Sequence, residues 1–347
     1  LTSLARGGMS DANIIEKPKL KRGGFFGLIL RWGEFVKFSH TIFAMPFALA
    51  SMMVASREHY HFLEDANLDI PAPAVKYGFP GFKLFILILL CMVFARTSAM
   101  AFNRIVDRHY DAKNPRTANR HLPAGEISLF SAWFLFSLTA SGFLVAAGFI
   151  NLPCLVLSPV ALFFICFYSL TKRFTDFTHV WLGIALALAP IGAWIAVKGG
   201  TSEELFHIWP LSQSLLPPMV LGIAVVFWLI GFDIIYAIQD FEFDKQNGLR
   251  SLVTAWGPKN ALMASFLSHM IMLALILLFG IMLKMRVAFL IGWLIIMLCL
   301  LFEHWIARKR SLKWINTSFF KLNALISSVF FFVVATEIVF PFFRRIQ

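Results

Sequence analysis

Charge is scarce in this chain. Only 14% of its 347 residues are Asp, Glu, Lys or Arg, where a soluble domain carries about a quarter. Hydrophobic residues make up 59%, far more than one globular core can hide, which excludes an ordinary water-soluble globule. Cysteine is scarce too. Cys91, Cys154, Cys166 and Cys299 all lie in apolar stretches and form no C-x-x-C pair, which excludes a disulfide framework and a cysteine-based zinc site and leaves them as small core hydrophobes. The N-terminal stretch carries no signal-peptide pattern. It is polar and basic as far as Arg31, and the first apolar run after it is long enough to span a bilayer.

What the chain has in excess is apolar length. Nine runs have spanning length: residues 35–55, 82–105, 129–150, 154–170, 177–197, 216–238, 261–283, 287–305 and 319–340. With 39 Phe and 10 Trp for lipid contact and interfacial anchoring, they predict an all-α polytopic membrane protein of nine transmembrane helices. Residues 1–24 read as a flexible cytoplasmic tail and 25–347 as one membrane domain. The net charge is +12. In a soluble protein it would raise nucleic acid as a partner; here the excess sits in short loops, where it holds topology. With the N-terminus in the cytoplasm, 21 Lys and Arg fall on the inner side and 8 on the outer, with Lys37 and Arg96 inside helices. This predicts N-in, C-out, in a bacterial inner membrane or its equivalent. Residues 56–81 form an outer loop, and its Glu58, His59, His61, Glu64 and Asp65 fit no standard metal-ligand spacing.

The scarce acids are not scattered. Asn103, Asp107 and Asp111 stand at i, i+4, i+8 across the end of the second run, and Asp240 and Asp244 follow the sixth at i, i+4, with Asp233 seven residues before Asp240. On a helix each set lines one face, with steps of about 6 Å. Like charges so spaced repel; hard divalent cations relieve that, because Mg²⁺ takes carboxylate and phosphate oxygens together. Basic groups gather on the same predicted side. Arg116 and Arg120 can fork onto phosphate oxygens, and Tyr168 and Lys172 stand i, i+4 at the end of the fourth run. Arg173 and Lys245 read as topology charges only. Arg96 lies on the face of Asn103 but about 10 Å deeper. Insertion there costs ~2.5–3.5 kcal/mol or more, so it needs a partner, either Asp233 or an anionic substrate.

The pattern N-x-x-x-D-x-x-x-D, then N-P-R-T-x-N-R-x-L-P-x-G, a Y-x-x-x-K and Y-A-I-Q-D-x-x-F-D resembles the UbiA superfamily of intramembrane aromatic prenyltransferases over residues 37–256. The resemblance implies nine helices around a central cavity. It implies that Asn103, Asp107, Asp111, Asp240 and Asp244 hold two Mg²⁺ and a diphosphate. Tyr168 and Lys172 would sit at the allylic end and the leaving group, and Arg96 and Asp233 near an aromatic acceptor. The catalytic set so implied is Asp107, Asp111, Asp233, Asp240, Asp244 and Tyr168; Arg96, Asn103, Arg116, Arg120 and Lys172 bind substrate. The pattern is most similar to the branch that moves a polyprenyl chain from its diphosphate to 4-hydroxybenzoate in ubiquinone synthesis. Residues 37–49 also look like a sister group tied to the futalosine route to menaquinone, with a dihydroxynaphthoate-type acid as acceptor. A membrane transporter is the reading from another class. It would put the acids near the midplane; here they stand at the predicted cytosolic helix ends.

Overall fold

A computed structural model describes residues 31–37, 43–65, 73–199, 215–308 and 318–340; the tail expected over residues 1–24 lies outside them. The described residues are helical throughout their regular structure, with no strand. The helices are α1 (Met45–Asp65), α2 (Phe82–Lys113), α3 (Leu129–Ile150), α4 (Leu152–Thr171), α5 (Thr178–Lys198), α6 (Leu216–Ala237), the short α7 (Phe241–Gln246), α8 (Leu252–Met282), α9 (Val287–Ala307) and α10 (Asn323–Val339). Eight helical spans among the described residues are long and apolar enough to cross a membrane. α1 is not one of them, because Arg57, Glu58 and Glu64 dilute its apolar run.

Local chemistry explains the starts. Ser128 accepts a hydrogen bond from Ser131 N (3.1 Å) at the head of α3, and Ser251 and Thr254 form a reciprocal capping box at the head of α8. Asn151 accepts from Cys154 N (2.8 Å) to open α4 and donates to the carbonyls of Ile195 and Ala196 at the end of α5. Prolines 217 and 218 occupy the first turn of α6, where their missing N–H groups would have no intrahelical partner anyway.

The first expected run is displaced. Residues 43–44 form a turn and α1 begins at Met45, with Pro46 in its first turn. The helix therefore continues to Asp65, and the first ten residues of the expected 56–81 loop are helical. Lys37 also lies in a turn, at φ 50°, not in a helix. Hydropathy located the apolar residues; the proline set the helical frame.

α6 is the central helix. Two thirds (67%) of its apolar stretch is buried, against 22% for α3 and α4. It packs on α5 and α8. A Cβ at Gly231 would stand 2.1 Å from the His269 ring, so only glycine admits the α6–α8 approach. Trp228, Phe47, Phe330 and Phe279 fill the core beside it, with Phe47 and Phe330 stacked at 4.9 Å. The outward faces carry large apolar side chains such as Phe130, Phe163, Leu298 and Phe332, as a lipid-facing surface requires.

Candidate active site

The first acidic motif rides on a helix without a break. Asn103, Asp107 and Asp111 stand on successive turns of α2, and Asn103 Nδ2 donates to Asp107 Oδ2 (2.9 Å). The second motif does not. α6 ends at Ala237, a 3₁₀ turn covers Ile238–Asp240, and α7 restarts at Phe241. A 3₁₀ turn winds more tightly than an α-helix, so the even α-helical phase expected from Asp233 through Asp244 is interrupted.

The segment after α2 closes the gap between the motifs. Asn114 caps α2 through its N–H to the Tyr110 carbonyl (3.1 Å). Its side chain accepts from Arg116 N (2.9 Å) and donates to Asp240 Oδ1 (3.2 Å). Pro115 between them sets φ for the turn. Thr117 Oγ1 ties the turn back to the Asp111 carbonyl (3.0 Å). Arg116 then reaches both oxygens of Asp240, with Nε at 2.9 Å from Oδ1, and donates from Nη1 to the Tyr236 hydroxyl (2.8 Å). Burial opposes the Arg116 charge, and the bonds to Asp240 and Tyr236 outweigh it, so its pKa stands above the ordinary guanidinium value.

Every motif carboxylate has a cation. Arg120 donates to Asp111 Oδ1 (2.6 Å), Arg173 to Asp107 Oδ1 (3.2 Å), and Lys172 Nζ stands 3.5 Å from Asp244 Oδ2. Arg173 is thus more than a topology charge: it sits on an acid of the first motif. Lys245 stays outside the cluster, over the Phe241 ring. Arg104, which the sequence did not single out, is buried 3.9 Å from Asp111 Oδ2.

Beneath this ionic mouth lies a cavity of about 760 Å³. Its polar end is lined by the motif acids, Arg116, Arg120, Tyr168 and Lys172; its deep end is apolar, with Ile88, Met92, Leu157, Ile165 and Ala189 on the wall. Arg96 lines it, and its Nε is buried with no hydrogen-bond partner. Of the two partners the sequence left open for Arg96, Asp233 does not pair with it. Asp233 instead meets His179 Nδ1 across the α5–α6 contact at 2.7 Å. His179 carried no sequence signal: it lies 54 positions from Asp233 and outside every motif.

The donors fit a hard divalent cation. Aspartate and asparagine oxygens are the ligands Mg²⁺ takes, and Asp111 Oδ2 is buried without a hydrogen bond. Among the described residues no three acids, histidines or cysteines converge on one point, because each acid is drawn to its own cation. Substrate phosphate oxygens and water would have to complete any Mg²⁺ shell, which is how Mg²⁺ is ordinarily held.

Fold and site together define a class: a helical membrane bundle with an acid–base mouth over a deep apolar cavity. The chain belongs to the UbiA prenyltransferase family, whose model matches residues 71–325. A 4-hydroxybenzoate octaprenyltransferase from Francisella tularensis is 30% identical over 203 residues, 57% of this chain and 66% of that protein, so the match spans just under two thirds of the relative's length. One from Aliivibrio salmonicida is 25% identical over 262 residues, 76% of this chain and 87% of that protein. The apo structure of a UbiA homolog from Aeropyrum pernix superposes with a TM-score of 0.71 at 28% identity, covering 86% of this chain and 98% of that one. A UbiA homolog from Archaeoglobus fulgidus, bound to GPP and Mg²⁺, shares the fold at a TM-score of 0.55 and 22% identity, covering 85% and 99%.

Proposed function

We propose that this protein transfers a polyprenyl chain from polyprenyl diphosphate to a hydroxylated aromatic acid, 4-hydroxybenzoate, in ubiquinone-type quinone synthesis. The observation that carries the reading is the joining of two acidic motifs by Asn114 and Arg116 at the mouth of an apolar cavity that also holds an unpaired buried Arg96 Nε. The named activity of the curated relatives points to the same acceptor.

In this reading Asn103, Asp107, Asp111, Asp240 and Asp244 would hold two Mg²⁺. Mg²⁺ held there would supply positive charge against the departing diphosphate. Arg116, Arg120 and Lys172 exchange their carboxylate partners for phosphate oxygens. The apolar wall takes the polyprenyl tail and excludes water from the allylic carbon, with Tyr168 beside it. Arg96 anchors the acceptor carboxylate. The C–O bond to diphosphate breaks, with its electron pair leaving on the diphosphate. The ring carbon ortho to the hydroxyl forms the new C–C bond, Asp233 takes the hydroxyl proton, and the resulting dienone tautomerises to the phenol.

The chain lies in a bacterial inner membrane or its equivalent with nine crossings, α1 included, N-in and C-out, and the mouth toward the cytoplasm. The test is an acceptor screen on the purified protein with Mg²⁺ and a prenyl diphosphate. Prenylated 4-hydroxybenzoate and stoichiometric diphosphate are expected. Product from a dihydroxynaphthoate-type acid alone would move the acceptor; no product from either acid would overturn the reading.

A further inference from the structure

His179 opens the first turn of α5 and is completely buried (0% exposed). It does not line the cavity, although Thr178 and Leu182 on the same helix do. Its Nδ1 lies 2.7 Å from Asp233 Oδ2, while Asp233 lines the cavity and keeps 21% of its side chain exposed. The ring is clamped. Thr178 Oγ1 pairs with Thr171 Oγ1 (2.7 Å), which fixes the start of α5 on the end of α4. One turn on, a Cβ at Gly183 would stand 3.0 Å from the Val226 backbone carbonyl, so α5 and α6 approach closely below the pair.

His179 Nε2 is buried and has no hydrogen-bond partner. That favours the tautomer with its proton on Nδ1. A proton on Nε2 would leave a buried N–H unsatisfied and turn the Nδ1 lone pair on a carboxylate. A proton on Nδ1 satisfies the carboxylate and leaves only a bare acceptor in an apolar place. We propose that His179 is a positioning residue for the transfer: its Nδ1–H holds Asp233 by Oδ2 and aims Oδ1 into the cavity, at the hydroxyl of the aromatic acceptor. This deepens the prenyl-transfer reading and rests on it. No proton moves through His179; the hydroxyl proton stops on Asp233. An intramembrane carboxylate without such a tether would swing to the nearest cation, as the mouth acids do.

The experiment compares wild type, His179→Leu, His179→Asn, Asp233→Asn and the double variant H179L/D233N. Each is the full chain in nanodiscs with Mg²⁺, a prenyl diphosphate and 4-hydroxybenzoate. His179→Leu is expected to lower kcat about ten- to a hundredfold while the prenyl diphosphate KM moves by less than about twofold. His179→Asn puts an amide N–H near the lost Nδ1 and is expected to return kcat to within about fivefold of wild type. The double variant is expected to be no slower than Asp233→Asn alone, because the two residues act as one unit. A His179→Leu enzyme with wild-type kcat overturns the proposal. So does a His179→Asn enzyme as slow as His179→Leu at the wild-type melting temperature, or losses that multiply in the double variant. A wild-type enzyme that prenylates no hydroxylated aromatic acid overturns the functional reading itself, and the proposal with it.

Discussion

Two groups of buried polar residues lie in this bundle, and they are built in opposite ways. One surrounds the cavity between α2, α4, α5 and α6; the other lies where α6, α8, α9 and α10 meet. In the second, Trp228 Nε1 donates to Asn323 Oδ1 (2.8 Å), Asn323 Nδ2 donates to Glu303 Oε1 (2.9 Å), and His269 Nδ1 meets His304 Nε2 at 2.9 Å. These groups bond one another in a packed core. The first group opens on a void of about 760 Å³. A polar network in a packed core fixes helices against one another. A polar network at the wall of a cavity is ready for a ligand.

The sharpest way to break this contrast is at the mouth. Asp107→Asn removes a charge from the cavity side and no packing. It is expected to lower kcat by about 10²–10³, with an unchanged melting temperature, as measured by product formation and thermal unfolding. Next comes Arg96→Ala. A charge-assisted hydrogen bond lost to the acceptor carboxylate should raise the acceptor KM about ten- to a hundredfold and leave the prenyl diphosphate KM nearly unmoved. If the acceptor KM stays constant in a well-folded protein, Arg96 does not hold the carboxylate. The network in the packed core should answer in stability instead. Asn323→Leu strands the Trp228 N–H and is expected to cost about 1–3 kcal/mol of stability, with kcat per folded molecule unchanged; a kcat loss without a stability loss would erase the distinction. The smallest effect is expected at Arg250, which pairs with Asp176 on the exposed surface (3.0 Å). Arg250→Ala should change stability by less than about 1 kcal/mol.

What the sequence disclosed follows the same division. The motif residues were legible because they repeat at helical spacing and because acids in a membrane chain are conspicuous. Eight of the nine expected runs became helices that meet the length and composition for crossing. The α1 frame was not legible from hydropathy, since Pro46 and the residues 56–65 shifted it down the chain. The break at Ile238–Asp240 was hidden because residues four apart read as helix whether or not a 3₁₀ turn intervenes. Partners across helices were hidden altogether: Arg173 looked like a topology charge until it met Asp107, and of the two partners the sequence left open for Arg96, Asp233 is taken by His179.

We propose that the cavity-side acids act on a diphosphate through Mg²⁺. The most direct measurement is diphosphate release and prenylated product from the purified wild-type protein, with Mg²⁺ and then with excess chelator. Stoichiometric release and product are expected with the metal, and neither in chelator, with activity restored when Mg²⁺ is returned. Full activity in excess chelator would contradict it.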